Sequence, residues 1–272
     1  MNLAEHAKEI RKNIVTMVYQ AQSGHPGGSL SAADLLTYLY FKEMKIDGDN
    51  VASTKRDRFV LSKGHASPLL YAVLAEKGLL DKKELSTFRQ INSKLQGHPN
   101  MNYVEGADMS TGSLGQGISA SVGMALANKI DGSNYRVYVL LGDGECEEGE
   151  VWEAAMAAAH FKLDNLCAMV DFNGLQIDGD IRGVMNPTPI GEKFEAFGWN
   201  CVAIDGHDFN QIQEAFDQAK STKGRPTVIL AETTKGKDVS FMEDDASWHG
   251  SAPNKEQYQR ALKDLDGGWS HE

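Results

Sequence analysis

The sequence predicts an α/β fold: a mostly parallel, open sheet with helices on both faces. Three observations predict it. Apolar runs of strand length recur at about 136–141, 166–171, 200–204 and 226–231, and helical patterns at about 149–162, 190–197 and 208–220 separate them. Strands linked through helices pair in parallel by right-handed crossovers. Finally, 272 residues with 41% hydrophobic content are enough for a sizeable core. No internal repeat, low-complexity tract or linker interrupts the pattern, so residues 1–272 read as a single domain.

The elements follow in order. Leu3, Ala7, Ile10, Ile14 and Met17 stand at helical spacing, and Ser23-Gly24-His25-Pro26-Gly27-Gly28 stops that helix. Ser29 or Ser31 is expected to cap a second helix running to about Lys42. Arg58 to Ser62 reads as a short buried strand, followed by a helix from about Ser67 to Lys77. Asp81 to Gln90 also reads as helical, ahead of a Gly/Pro/Asn-rich stretch with Gly97-His98-Pro99. Thr111-Gly112-Ser113-Leu114-Gly115-Gln116-Gly117 opens a helix to about Lys129, whose small residues allow another backbone or a ligand to come close. After Glu232 some twenty residues of loop precede a last helix at about 254–264, and a connection of that length is usually functional.

Charge and cysteine usage exclude several function classes. A net charge of −11 disfavours nucleic acid, whose phosphates need clustered Lys and Arg. The three cysteines, Cys146, Cys167 and Cys201, are far apart, against a zinc site or a disulfide framework and consistent with a reducing cytoplasm. No run is long and apolar enough to span a membrane, and Met1 leads into a helix without a signal pattern.

The chemistry concentrates at two strand ends. Gly142-Asp143-Gly144 follows the run Val137-Tyr138-Val139-Leu140-Leu141, and Asn173 closes a second run that begins at Leu166. Both side chains are expected at the carboxyl edge of the sheet, where open α/β sheets bind ligands. One carboxylate, one amide oxygen and a backbone carbonyl suit Mg²⁺ that also holds phosphate oxygens. The implied ligand is a diphosphate. Neither standard nucleotide motif is present: the glycines at 112, 115 and 117 have the wrong order for the dinucleotide fingerprint, and Gly236-Lys237 is not a phosphate loop.

The eight histidines divide by context. His6, His160, His207 and His271 read as surface or packing residues. His25, His65, His98 and His249 each stand beside Gly or Pro in a loop, and together they predict a shared site for hydrogen bonding and proton transfer near neutral pH. Glu145, Glu147, Glu148 and Glu150 read mostly as a solvated acidic turn favoured by the helix dipole.

Gly142-Asp143-Gly144 with Phe172-Asn173 resembles the thiamine diphosphate motif. Ser23-Gly24-His25-Pro26-Gly27-Gly28, the block Asp57 to Ala66, Gly97-His98-Pro99, the block Thr111 to Gly117 and Trp248-His249-Gly250 then make the chain similar to transketolases along almost its whole length. It resembles the amino-terminal, diphosphate-binding subunit of a split transketolase, with the pyrimidine-binding and carboxyl-terminal domains absent.

The resemblance implies two-carbon ketol transfer from a ketose phosphate to an aldose phosphate. It implies thiamine diphosphate with Mg²⁺, with Ca²⁺ or Mn²⁺ as alternatives. Asp143, Asn173 and the carbonyl of Leu175 become metal ligands. Gly142, Gly144, His65 and His249 become diphosphate contacts, and Gly112, Leu114 and Ile177 lie near the cofactor rings. His25, His65, His98 and His249 line the sugar channel, and Glu148 joins a carboxylate network crossing to a partner. That partner is a second subunit carrying the missing domains, in an α2β2 assembly. Two residues depart from the family pattern: Phe172, where Asn or Asp is common, and Asp238, where glycine is usual. Alternatives are a deoxyxylulose-phosphate synthase-like enzyme, a transketolase for a sulfonated or branched sugar, and a non-catalytic cofactor-binding subunit.

Overall fold

Helix α1 (Leu3–Ala21) opens on a capping box, the Glu5 N–H donating to Asn2 Oδ1 and the Asn2 N–H to the Glu5 carboxylate, both at 2.9 Å. Next come α2 (Gly27–Ser31), α3 (Ala33–Tyr38), β1 (Arg58–Leu61), α4 (Ser67–Lys77), α5 (Gln116–Asp131), β2 (Val137–Gly142) and α6 (Gly149–His160). They are followed by β3 (Leu166–Phe172), a two-stranded hairpin of β4 (Leu175–Gln176) and β5 (Gly179–Asp180), α7 (Ile181–Val184) and α8 (Ile190–Ala196). The chain ends with β6 (Asn200–Asp205), α9 (Phe209–Ser221), β7 (Thr227–Glu232) and α10 (Lys255–Lys263). This computed structural model describes residues 1–268.

Five strands form one sheet in the order β1-β2-β3-β7-β6, and every pairing is parallel. Successive side chains of a strand point to opposite faces, so each strand feeds two cores. Phe59, Leu61, Tyr138, Leu140, Cys167 and Met169 pack with α1, α3, α4 and α9. Val60, Val139, Leu141, Ala168 and Val170 pack with α5, α6 and α8. Burial on both faces explains why these strands are continuously apolar. The close packing of α5 depends on Gly117, where an added Cβ would lie 2.6 Å from the Ser62 Cα at the end of β1.

Parallel pairing puts the carboxyl ends of all five strands on one edge. Lys63 follows β1, Asp143 follows β2, Asn173 follows β3 and Lys235 follows β7. The fold therefore delivers one polar side chain from each of four adjacent strands to the same place.

Several expectations are corrected. The helix predicted from Ser29 or Ser31 to Lys42 starts earlier and is broken: Pro26 precedes α2, and a π turn at Leu39–Glu43 ends the segment. Neither serine caps it, because Ser29 Oγ donates to the His25 carbonyl and Ser31 Oγ to Asp171. Asp81 to Gln90 holds a 3₁₀ stretch, Lys82–Thr87, started by the Asp81 carboxylate on the Lys83 N–H. Asp238 accommodates the usual glycine position by taking a left-handed backbone, φ 67°, which Asp tolerates better than most residues. Its carboxylate lies 3.3 Å from Arg11. Among the described residues no helix is long and apolar enough to cross a membrane.

Candidate active site

A cavity of about 320 Å³ opens at the carboxyl edge of the sheet. Every site residue expected from the sequence lines it: His25, His65, His98, Gly112, Leu114, Gly142, Asp143, Gly144, Glu148, Asn173, Leu175, Ile177 and His249. Lys63, Glu145, Gln176 and Lys235 line it too, and local sequence patterns assign them no role there.

Asp143 is 3% exposed at the end of β2. Its Oδ1 accepts the Gly144 N–H at 2.8 Å and its Oδ2 the Gly174 N–H at 2.6 Å. Burial, with the nearby Asp171 charge, pushes its carboxyl up to about 6. An anion so disfavoured is stabilised by a cation placed on its remaining lone pairs.

Asn173 is oriented from behind. Its Nδ2 donates to Asp171 Oδ2 at 2.9 Å, which assigns Oδ1 as the acceptor left for the cavity side, where it also receives the Leu175 N–H at 3.2 Å. Asp171 is wholly buried and receives Lys63 Nζ at 2.5 Å, Ser31 Oγ at 2.6 Å and Thr233 Oγ1 at 2.5 Å. Burial alone would raise its carboxyl, but Lys63 and the hydroxyl donors outweigh that and hold it below the usual carboxylate range. The carboxylate within the β3 apolar run is the sequence signal for this hub.

Lys235 contacts one of the expected metal ligands. Its Nζ donates to the Leu175 carbonyl at 2.9 Å and to His249 Nδ1 at 3.2 Å. Burial, with Lys63 nearby, lowers it to about 8. An ammonium has no lone pair to offer, so His249 Nδ1 must be the acceptor and its hydrogen sits on Nε2.

The four loop histidines do converge. Ring centroids are 5.0 Å apart for His65 and His249, 5.3 Å for His25 and His65, 5.4 Å for His25 and His249, and 6.4 Å for His25 and His98. Gly112 makes room for this group: at φ 153° it passes so close to His98 that a Cβ would lie 3.0 Å from the ring. Their surroundings shift the four rings in one direction. Burial and Arg89 lower His25 to about 4, burial and Lys235 lower His249 to about 3, and burial with neighbouring cations lowers His65 and His98. In the cofactor-free chain these rings are neutral donors and acceptors at pH 7.

A pH dependence follows. A histidine with a folded value below 6.5 leaves the unfolded chain binding more protons between the two values, so the stability that His25 and His249 contribute falls as pH drops from about 6.5 towards 4. His25→Asn and His249→Asn are expected to flatten that fall. Urea midpoints at pH 6.5 and pH 4.5 measure it, and an unchanged slope in both variants would contradict the account.

The remaining histidines differ in their surroundings. His160 is exposed. His6 bonds Glu76 at 2.9 Å and stacks on Phe41, and His271 lies outside the described residues. His207 is more than a surface residue: its Nε2 accepts the Thr234 N–H at 2.9 Å and its Nδ1 donates to buried Asp34 at 2.7 Å, fixing the loop that carries Lys235. The acidic turn is also mixed. Glu148 is exposed and Glu147 accepts from Gln176 at 2.8 Å, whereas Glu145 is 2% exposed, against the expectation of a solvated face.

Comparison with known proteins fits this geometry. Residues 3–271 match the family described as transketolase, thiamine diphosphate binding domain. The chain is 44% identical over 255 residues to an apulose-4-phosphate transketolase subunit from Phocaeicola vulgatus, covering 94% of this chain and 90% of that one. It is 43% identical over 266 residues to the 6-deoxy-6-sulfo-D-fructose transketolase subunit SqwG of Clostridium sp. strain MSTE9, covering 98% and 97%. The solved transketolase of Campylobacter jejuni matches with a TM-score of 0.92 at 36% identity, over 98% of this chain and 43% of that one. The chain thus spans about two fifths of the length of the longer transketolases it matches and nearly all of the two subunit proteins. It belongs to the transketolase family, as the thiamine diphosphate-binding domain.

Proposed function

We propose that this chain is the diphosphate-binding subunit of a split transketolase, moving a two-carbon ketol unit from a ketose phosphate to an aldose phosphate when joined by a partner. One observation carries the reading: Lys63, Asp143, Asn173 and Lys235, from four adjacent parallel strands, meet in one cavity with His25, His65 and His249. Thiamine diphosphate bound there supplies the electron sink for breaking and forming the carbon–carbon bond beside the ketose carbonyl.

The protein's part is placement. Asp143, Asn173 Oδ1 and the Leu175 carbonyl hold Mg²⁺. The donor set fits: a carboxylate raised by burial and by Asp171, an amide turned by Asp171, and a carbonyl already accepting an ammonium. The Gly144 N–H, His65, His249 and Lys235 hold the diphosphate, with Gly142 as its backbone floor. Gly112, Leu114 and Ile177 flank the rings. The imidazoles of His25, His65, His98 and His249 bind sugar hydroxyls as neutral groups, and an anionic cofactor raises their affinity for a proton.

The partner supplies the pyrimidine-binding and carboxyl-terminal domains, in an α2β2 complex with each site between subunits. Ile177 is 66% exposed beside the cavity, and Glu148 is exposed at its rim, so both are available to that second surface. On α5, Gly123 is exposed with open space around it, which admits close approach of a partner backbone. A branched or sulfonated ketose is the second reading, favoured by the substrates named for the two subunit relatives. A panel of ketose phosphates, branched and sulfonated ketoses, each with an aldose phosphate, tests both readings in the two-chain complex. Aldose-dependent ketose cleavage supports the function, and no turnover with any pair overturns it.

A further inference from the structure

We propose that Glu145 is a positioning residue that staples the loop carrying Gly112 and Leu114 to the ends of β1 and β2, and so sets the cavity wall beside the cofactor rings. The inference rests on the cofactor reading above and assigns a role to a residue outside the expected ligand set.

The Glu145 side chain accepts three hydrogen bonds. Oε1 receives the Gly115 N–H at 2.9 Å and the Ser62 hydroxyl, and Oε2 receives the Gly142 N–H at 3.0 Å. The donors come from three separate stretches: Ser62 follows β1, Gly115 precedes the first residue of α5, and Gly142 ends β2. Each is the immediate neighbour of a residue at the cavity, Lys63, Leu114 and Asp143 respectively. One buried carboxylate therefore sets the spacing of three walls.

Helix α5 starts without a side-chain cap of its own, and its entry residue is anchored from outside by this carboxylate. Each oxygen of Glu145 accepts at least one hydrogen bond, and the residue acts through the groups it holds. The acidic turn thus has two functions: Glu145 faces inward and Glu148 faces outward.

Glu145→Gln tests the proposal with little change in volume. The amide places an N–H₂ against at least one N–H or O–H donor, so one or more of the three bonds is lost. In amide hydrogen exchange on the full chain, Gly115 or Gly142, whichever N–H then faces the amide NH₂, is expected to exchange at least about tenfold faster, the effect of losing roughly one hydrogen bond. Strand amides at 137–141 are expected to keep wild-type rates. In the two-chain complex the dissociation constant for thiamine diphosphate rises by about tenfold or more, while kcat at saturating cofactor stays within about threefold. A general loss of stability would instead speed exchange everywhere.

If Glu145→Gln does not fold, the wild-type chain still decides the matter. Gly115 lies outside any helix or strand, yet the staple requires its amide to be protected, in contrast to exposed Ser113. Equal, rapid exchange at Gly115 and Ser113 overturns the proposal, as does a Glu145→Gln chain with unchanged exchange at both Gly115 and Gly142 or with unchanged cofactor affinity. A wild-type complex that binds no thiamine diphosphate while Gly115 stays protected overturns the cofactor reading and leaves the staple supported.

Discussion

Asp143→Ala is expected to abolish Mg²⁺-dependent binding of thiamine diphosphate by the assembled complex while leaving the chain folded. Asp143 is the sole carboxylate in the expected metal set, whose other members, Asn173 and the Leu175 carbonyl, are neutral. Affinity should fall by more than the 10–100-fold typical of losing an outer partner of a metal ligand, so a loss above about a hundredfold is expected. The cost to folding is smaller. Removing the carboxylate leaves the Gly144 and Gly174 N–H groups without their acceptor, but it also removes a buried charge that burial already disfavours. Calorimetric titration with and without Mg²⁺ measures the affinity, and circular dichroism checks the fold. Near-normal affinity in Asp143→Ala would contradict the metal assignment.

The histidine variants should produce the next largest effect. Ala in place of His25, His65, His98 or His249 is expected to lower turnover by about 10²–10⁴-fold, the range for lost proton-transfer and hydrogen-bonding groups. His65 and His249, whose rings lie 5.0 Å apart, should stand at the upper end. His98, more exposed than the other three, should stand at the lower end. His160→Ala serves as the control on an exposed helix end and should stay within about twofold of wild type. His207→Ala should lower stability, because Asp34 and the Thr234 N–H lose their shared partner. Turnover with saturating cofactor, read beside thermal midpoints, separates these outcomes. Equal rate losses at His160 and at the four cavity histidines would contradict the assignment.

Much of this site is legible because its residues stand at strand ends, and strand ends are visible as breaks in apolar runs. Asp143 and Asn173 announce themselves where Leu141 and the β3 run stop. The histidines do so by lying beside Gly or Pro. Lys63, Lys235 and Glu145 escape such reading because their meaning lies in partners distant in the chain: Lys63 meets Asp171, Lys235 meets Leu175 and His249, and Glu145 meets Ser62 and Gly115. No spacing rule reveals such pairs. The helix expected at 29–42 fails for a related reason, since Ser31 spends its hydroxyl on Asp171 rather than on a cap. The hairpin of β4 and β5 has two residues per strand, too few for a periodic signal. Local rules yield most readily where the packing of the sheet repeats them, and fail where the site recruits side chains across the fold.

The claim that this chain is one part of a divided transketolase is tested most directly by turnover of the purified chain alone. With thiamine diphosphate, Mg²⁺, a ketose phosphate and an aldose phosphate present, the account predicts no aldose-dependent cleavage of the ketose. Addition of a chain carrying the pyrimidine-binding and carboxyl-terminal domains should restore it. Full transketolase turnover by this chain without a second polypeptide would contradict the account.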